Sequence, residues 1–181
     1  HDPVFAGYDI SGRSIAAEVV GGDLYDDHLF NNRMSGIAIG DASGHGLPAA
    51  LLARDVITGL RMGVERELKI SSLFSKLNRV INGSFLSSRF ISLVYGELEQ
   101  NGTFVYVNAG HNPPQVVRAG GEIVPLETGG PLLGILPGVR YQMGSVELRP
   151  GDLFVAFTDG VTEAFDAAGE EFGDARVPAL L

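Results

Sequence analysis

The stretch FISLVYGELEQNGTFVYV, residues 90–107, decides the fold. Apolar runs Phe90–Leu98 and Phe104–Val107 flank Asn101-Gly102. Asn-Gly between two such runs is a strong hairpin signal, because Gly takes positive φ without penalty. Strands that follow one another through tight turns pair antiparallel, whereas parallel neighbours need a crossover between them. Two further strand pairs are expected downstream. Gln115–Arg118 and Glu122–Leu126 flank Ala119-Gly120-Gly121, and Tyr141–Leu148 and Leu153–Phe157 flank Arg149-Pro150-Gly151-Asp152.

Upstream the period changes. Ala50, Ala53, Ile57, Leu60 and Val64 recur at three and four, which predicts a helix over Pro48–Glu67 with one buried face. Ser71 or Ser72 can cap a second helix whose stripe runs Leu73, Phe74, Leu77, Ile81 and Phe85. Before them, Phe5–Ile15 and Met34–Ile39 carry short apolar alternations punctuated by Gly and read as strands. Helices segregated from antiparallel strands make the class α+β.

Composition narrows the function. At 181 residues a single domain is the default. The absence of Cys excludes a disulfide scaffold, a thiolate zinc site and a cysteine nucleophile. A net charge of −9 is the opposite of what a phosphate-tracking groove needs, so no nucleic-acid partner is expected. The longest uncharged apolar stretch, Gly129–Val139, is far short of the ~18 residues of a membrane span, so no membrane contact and a cytoplasmic location are expected. No initiator Met is present and His1 fits the remnant of a purification tag, so residues 1–181 read as one domain excised from a longer protein.

Three segments place an Asp beside Gly at the end of an apolar run: Val20-Gly21-Gly22-Asp23, Ile39-Gly40-Asp41-Ala42-Ser43-Gly44-His45-Gly46 and Phe157-Thr158-Asp159-Gly160. Mg²⁺ and Mn²⁺ take carboxylate and carbonyl oxygens, and Gly lets the backbone approach. Asp beside Gly is also ordinary turn chemistry, and spacing alone leaves both readings open. His45 offers a group that titrates near neutrality, or a loop packing residue. His111 reads as a structural hydrogen-bonding residue, and Glu163 as either a neighbour of the acidic site or a solvated charge. No P-loop ending, Gly-x-Ser-x-Gly elbow or His-Glu-x-x-His helix is present.

Beyond these readings, the blocks Val19-Val20-Gly21-Gly22-Asp23-Leu24-Tyr25-Asp26, Gly40-Asp41-Ala42-Ser43-Gly44-His45-Gly46, Asn108-Ala109-Gly110-His111-Asn112-Pro113-Pro114, Gly130-Pro131-Leu132-Leu133-Gly134 and Thr158-Asp159-Gly160-Val161-Thr162-Glu163-Ala164 with Gly169-Glu170-Glu171-Phe172-Gly173 occur in that order. They resemble the signature blocks of the SpoIIE/RsbU-like bacterial protein phosphatases, a branch of the type 2C (PPM) metal-dependent Ser/Thr phosphatases. The resemblance implies an αββα sandwich, two antiparallel sheets between helices, with a binuclear Mn²⁺ or Mg²⁺ centre at one edge. It makes Asp23, Asp41 and Asp159 metal ligands, with Asp41 bridging both ions and the Ala42 carbonyl on the second. His45 and Glu163 would stand around them.

The resemblance also implies the reaction and its setting. The substrate would be a phosphoserine or phosphothreonine on an anti-sigma-factor antagonist in a partner-switching pathway, with an upstream sensor domain in the parent chain. The rival readings are a non-catalytic phosphoprotein- or partner-binding domain and a hydrolase of small phosphates. The chain departs from the pattern in three places. No Arg precedes Asp23, so phosphate binding must lean on the metals. His111 replaces the acidic residue that eukaryotic type 2C enzymes link to a third ion. The family's last carboxylate ligand, in an Asp-Asp-x-Thr block, would lie past Leu181, so the fold is expected to be truncated at its C-terminus, with an exposed sheet edge suited to a homodimer or another partner.

Overall fold

In the computed structural model, which describes residues 5–15, 20–31, 33–64, 69–83 and 89–180, the Asn101-Gly102 hairpin joins β3 (Ile91–Glu99) to β4 (Thr103–Ala109), with Gly102 at φ 95°. Upstream lie β1 (Asp23–Asn31), β2 (Met34–Ala42), α1 (Gly46–Val64) and α2 (Ile70–Asn82). Downstream follow β5 (Gln115–Val117), β6 (Ile123–Pro125), β7 (Gly129–Gly130), β8 (Gly144–Glu147), β9 (Leu153–Val155), the one-turn helix α3 (Asp159–Thr162) and a 3₁₀ segment at Asp174–Ala179. The expected helix end Glu67, the stripe residue Phe85 and the motif residue Val19 lie outside the described residues.

One sheet runs β1-β2-β3-β4, with β7 and β8 both pairing β4, and a smaller sheet runs β6-β5-β9. All pairs are antiparallel except the two-residue β4–β7 contact, where Gly129 lies opposite Asn108. A Cβ on Gly129 would fall 1.8 Å from the Asn108 carbonyl oxygen, so only Gly permits that approach.

Strand alternation sends side chains to two cores. Ile91, Leu93 and Tyr95 of β3, with Val107 and Ala109 of β4, face α1 and α2, where Ala53, Val56, Leu60, Phe74 and Leu77 complete the first core. Leu98, Phe104 and Tyr106 face the small sheet and meet Val116, Leu126 and Phe5 in the second, with the Phe104 and Phe154 rings edge to face at 5.0 Å. The layers are therefore helices, six-stranded sheet and three-stranded sheet, with α3 and the 3₁₀ segment the only helical elements after them among the described residues.

Two expectations are corrected. Phe5–Ile15 forms no strand among the described residues; its apolar residues serve packing, since Phe5 is buried in the second core and Tyr8 stacks on it at 5.2 Å. The Arg149–Asp152 turn forms, closed by the Asp152 N–H on the Arg149 carbonyl, but β8 and β9 do not pair with each other. β8 joins β4 and β9 joins β5, so the turn carries the chain from one sheet to the other. The Arg118 guanidinium braces this corner by donating to both the Glu147 carbonyl and the Asp152 carboxylate.

The second core predicts a specific cost. Phe104 is 1 % exposed and its ring fills the space left by Gly96, where a Cβ would meet it at 2.2 Å. Phe104→Ala should destabilise the fold by about 3–5 kcal/mol in denaturant unfolding monitored by circular dichroism, with little change in the slope.

Candidate metal centre

The β1–β2 register sets Asp23 directly opposite Asp41, at the first residue of one strand and the penultimate residue of the other. Directly paired residues project to the same face, so the two carboxylates stand side by side. Asp159 arrives from a separate segment, four residues beyond β9 at the first turn of α3. One carboxylate oxygen from each of Asp23, Asp41 and Asp159 lies within 4.8 Å of the others. Charges ~5 Å apart repel by about 3 kcal/mol per pair at an effective dielectric near 20, so the fold maintains this arrangement against a substantial force.

The electrostatics record that force. Burial, followed by the charges of Asp23, Asp159 and Glu163, pushes the Asp41 carboxyl up to about 6, against a hydrogen bond from the Ala42 N–H that favours its ionised form. Asp23 is raised as well, chiefly by burial, with a Thr158 side-chain hydrogen bond opposing and the Asp159 charge adding. Glu163 thus stands within electrostatic reach of the cluster, and its N–H caps the Asp159 carbonyl.

Backbone fit is equally tight. A Cβ on Gly22 would lie 2.6 Å from the Ala42 carbonyl oxygen and 3.1 Å from Asp41 Oδ1, so Gly22 leaves open a cradle that any other residue would fill. The Ala42 N–H bonds the Gly22 carbonyl at 3.2 Å and Ala42 itself is fully buried, which fixes its carbonyl beside the carboxylates. The donor set is thus three carboxylates with a carbonyl nearby, all hard oxygen, and it fits a hard divalent cation.

His45 is exposed on the loop between β2 and α1, outside the acidic group. His111, by contrast, is 7 % exposed and belongs to the site's margin. A cavity of about 230 Å³ is lined by Asp41, Ser43, Ser92, His111, Leu132 and Asp159 among others. Ser92 was not singled out in the sequence. Its place follows from the β2–β3 register, which sets it opposite Asp41.

Comparison with known proteins gives the family and the fold. The profile described as "Stage II sporulation protein E (SpoIIE)" matches residues 31–181. The chain belongs to the SpoIIE family. The phosphoserine phosphatase RsbU of Bacillus subtilis is 33% identical over 158 residues, covering 86% of this chain and 47% of its own length. The structure of the RsbU and RsbW domains of a Mycobacterium tuberculosis protein superposes with a TM-score of 0.75 at 28% identity, over 92% of this chain and 46% of that one. The PP2C phosphatase domain of SpoIIE from Bacillus subtilis superposes with a TM-score of 0.71 at 21% identity, over 81% of this chain and 43% of that one, which shows the shared fold. This SpoIIE-family chain spans about half or less of the length of the curated relatives it matches.

The crowding has a measurable sign. Asp41 ionises near 3.8 when unperturbed and near 6 in the fold, so between those values the folded state holds a proton that the unfolded chain has released. Without added metal, stability should therefore fall as pH rises from about 4 to about 6 and level off above. Asp41→Asn should raise metal-free stability at pH 7.5 by about 1 kcal/mol, allowing for solvent screening, and the difference should vanish below pH ~4. Urea unfolding of both proteins across that range checks it.

Proposed function

We propose that this domain hydrolyses phosphoserine or phosphothreonine on a regulatory protein in a metal-dependent reaction. The observation that carries the proposal is the convergence of Asp23, Asp41 and Asp159, from three separate segments, within 4.8 Å. Asp23, Asp41 and Asp159 would hold a pair of Mn²⁺ or Mg²⁺ ions, with Asp41 between them and the Ala42 carbonyl adding a neutral ligand. When bound, such a pair supplies a water of lowered pKa and positive charge for the non-bridging phosphoryl oxygens.

The chain's own part is positional. The β1–β2 register holds two of the carboxylates rigidly on strands, and Gly22 keeps space beside the Ala42 carbonyl. The adjoining cavity, between Asp41 and Asp159 and beside Phe90 and Leu132, gives the phosphorylated side chain a place partly screened from water. No nucleophilic side chain is needed, and no cysteine is available as one.

The substrate we infer is a phosphorylated anti-sigma-factor antagonist in a partner-switching pathway. RsbU is named a phosphoserine phosphatase, and the Mycobacterium tuberculosis structure joins an RsbU domain to an RsbW domain. We further propose that residues 1–181 are one phosphatase domain of a longer cytoplasmic protein, with a sensor domain upstream and a carboxylate ligand past Leu181. Among the described residues no helix is long and apolar enough to cross a membrane.

Assay of a phosphoserine peptide and of p-nitrophenyl phosphate, with and without Mn²⁺, tests the activity. The proposal expects Mn²⁺-dependent turnover of the peptide. Loss of turnover is expected in Asp41→Asn, whereas His45→Ala should keep a measurable rate, with at most the ~10²–10⁴-fold drop of a lost proton-transfer group. Equal residual activity in two folded variants would contradict the assignment. Phosphopeptide binding with no Mn²⁺-dependent turnover would favour a non-catalytic domain.

A further inference from the structure

His111 occupies a position that the proposed chemistry does not explain. Its main chain is locked: Asn108 Oδ1 accepts from the His111 N–H at 2.8 Å, and Asn108 Nδ2 donates to the His111 carbonyl at 3.0 Å. Gly110, at φ 67°, makes the turn that swings the ring in from the end of β4. The imidazole then meets Ser92, whose Oγ lies 2.8 Å from Nδ1. Along the end of the sheet, the registers set Asp23 opposite Asp41 and Asp41 opposite Ser92, and His111 closes the row.

The ring's protonation follows from its partners. Ser92 Oγ is 2.8 Å from Nδ1 but 3.4 Å from the Asp41 carbonyl, so its hydroxyl serves Nδ1 better. With the hydroxyl proton given to Nδ1, the ring proton sits on Nε2; with it given to the Asp41 carbonyl, Nδ1 carries the ring proton. Nε2 is buried and has no hydrogen-bond partner among the described residues. Folded proteins rarely leave such a group without a partner. The groups that favour its charged form, against the burial that lowers its pKa, are the Phe157 carbonyl and the Asp159 carboxylate. Both belong to the segment that delivers the third carboxylate.

We propose that His111 is a positioning residue of the metal centre: braced by Ser92, its buried ring forms the wall of the cavity that Asp41, Ser92 and Asp159 also line, and so sets where Asp159 stands relative to Asp41. The ring ties the β3–β4 end of the large sheet, which is continuous with Asp41, to the otherwise separate run into α3. This rests on the reading of Asp23, Asp41 and Asp159 as metal ligands, and deepens it by naming what holds the third one. Neighbours that orient a metal ligand commonly change affinity by ~10–100-fold when removed.

The test is calorimetric titration of Mn²⁺ into the 181-residue protein and five variants, with thermal unfolding of each as a control. His111→Leu and Ser92→Ala should weaken Mn²⁺ binding by about 10-fold or more while the proteins remain folded. His111→Gln, whose amide nitrogen falls near the place of Nε2, should recover most of the affinity. In an Asp159→Asn background, Ser92→Ala should cost no further affinity, because the ligand it helps to place is gone. Wild-type affinity in His111→Leu or Ser92→Ala, with or without lower thermal stability, would overturn the proposal. Should His111→Leu not fold, Ser92→Ala alone decides by the same criterion. Absence of Mn²⁺ binding by the wild type would overturn the metal reading and this proposal together, which separates that failure from a failure of His111 alone.

Discussion

Mutual repulsion among Asp23, Asp41 and Asp159 is the constraint around which the rest of this structure is arranged. Three carboxylates within 4.8 Å, one of them pushed up to about 6, are costly unless something cationic joins them. The fold bears that cost through covalent order and packing. Asp23 and Asp41 sit on paired strands whose register cannot slip without turning Leu24 and Ala38 out of the first core. Asp159 is reached through a corner braced by Arg118 and Asp152, beyond a strand of the second sheet.

Two sheets and two cores are therefore needed to build one small site. The large sheet contributes a row of residues along its end, and the small sheet contributes the strand from which the third carboxylate departs. Gly22 and Gly129 mark where backbones must come closer than a Cβ permits, beside the Ala42 carbonyl in one case and the Asn108 backbone in the other. Asn108 then links both regions, since its side chain holds the His111 loop and also bonds the Leu126 carbonyl. Packing and chemistry share these residues, so substitutions here should alter stability and metal affinity together.

Much of the architecture was legible because local signals were strong. Asn101-Gly102 and Gly120-Gly121 announced hairpins that the structure contains, and the three-and-four spacing of α2 matched its buried face. In α1 the helix was legible but its face was not: Ala53 and Leu60 are buried, whereas Ala50, Ile57 and Val64 are half-buried and the core face runs through Ala49, Leu52, Val56 and Gly63. β1 was not legible. Asp23, Asp26 and Asp27 spoil its apolar alternation, as suits a strand whose only partner among the described residues is β2. Missing β1 hides the fact that Asp23 stands opposite Asp41, and Ser92 is hidden for the same reason, since only register places it there. Turn chemistry revealed the Arg149–Asp152 corner but could not show that the chain changes sheets at it. Phe5–Ile15 misled because alternating apolar residues can pack over a core without joining a sheet.

We propose that the fold tolerates its crowded carboxylates because divalent cations neutralise them. Thermal unfolding of the unaltered protein at pH 7.5 over a series of Mn²⁺ concentrations measures this most directly. A ligand that binds only the folded state stabilises it in proportion to the logarithm of its concentration above Kd, so Tm should climb steadily with added Mn²⁺. A Tm that stays constant into the millimolar range would contradict the claim.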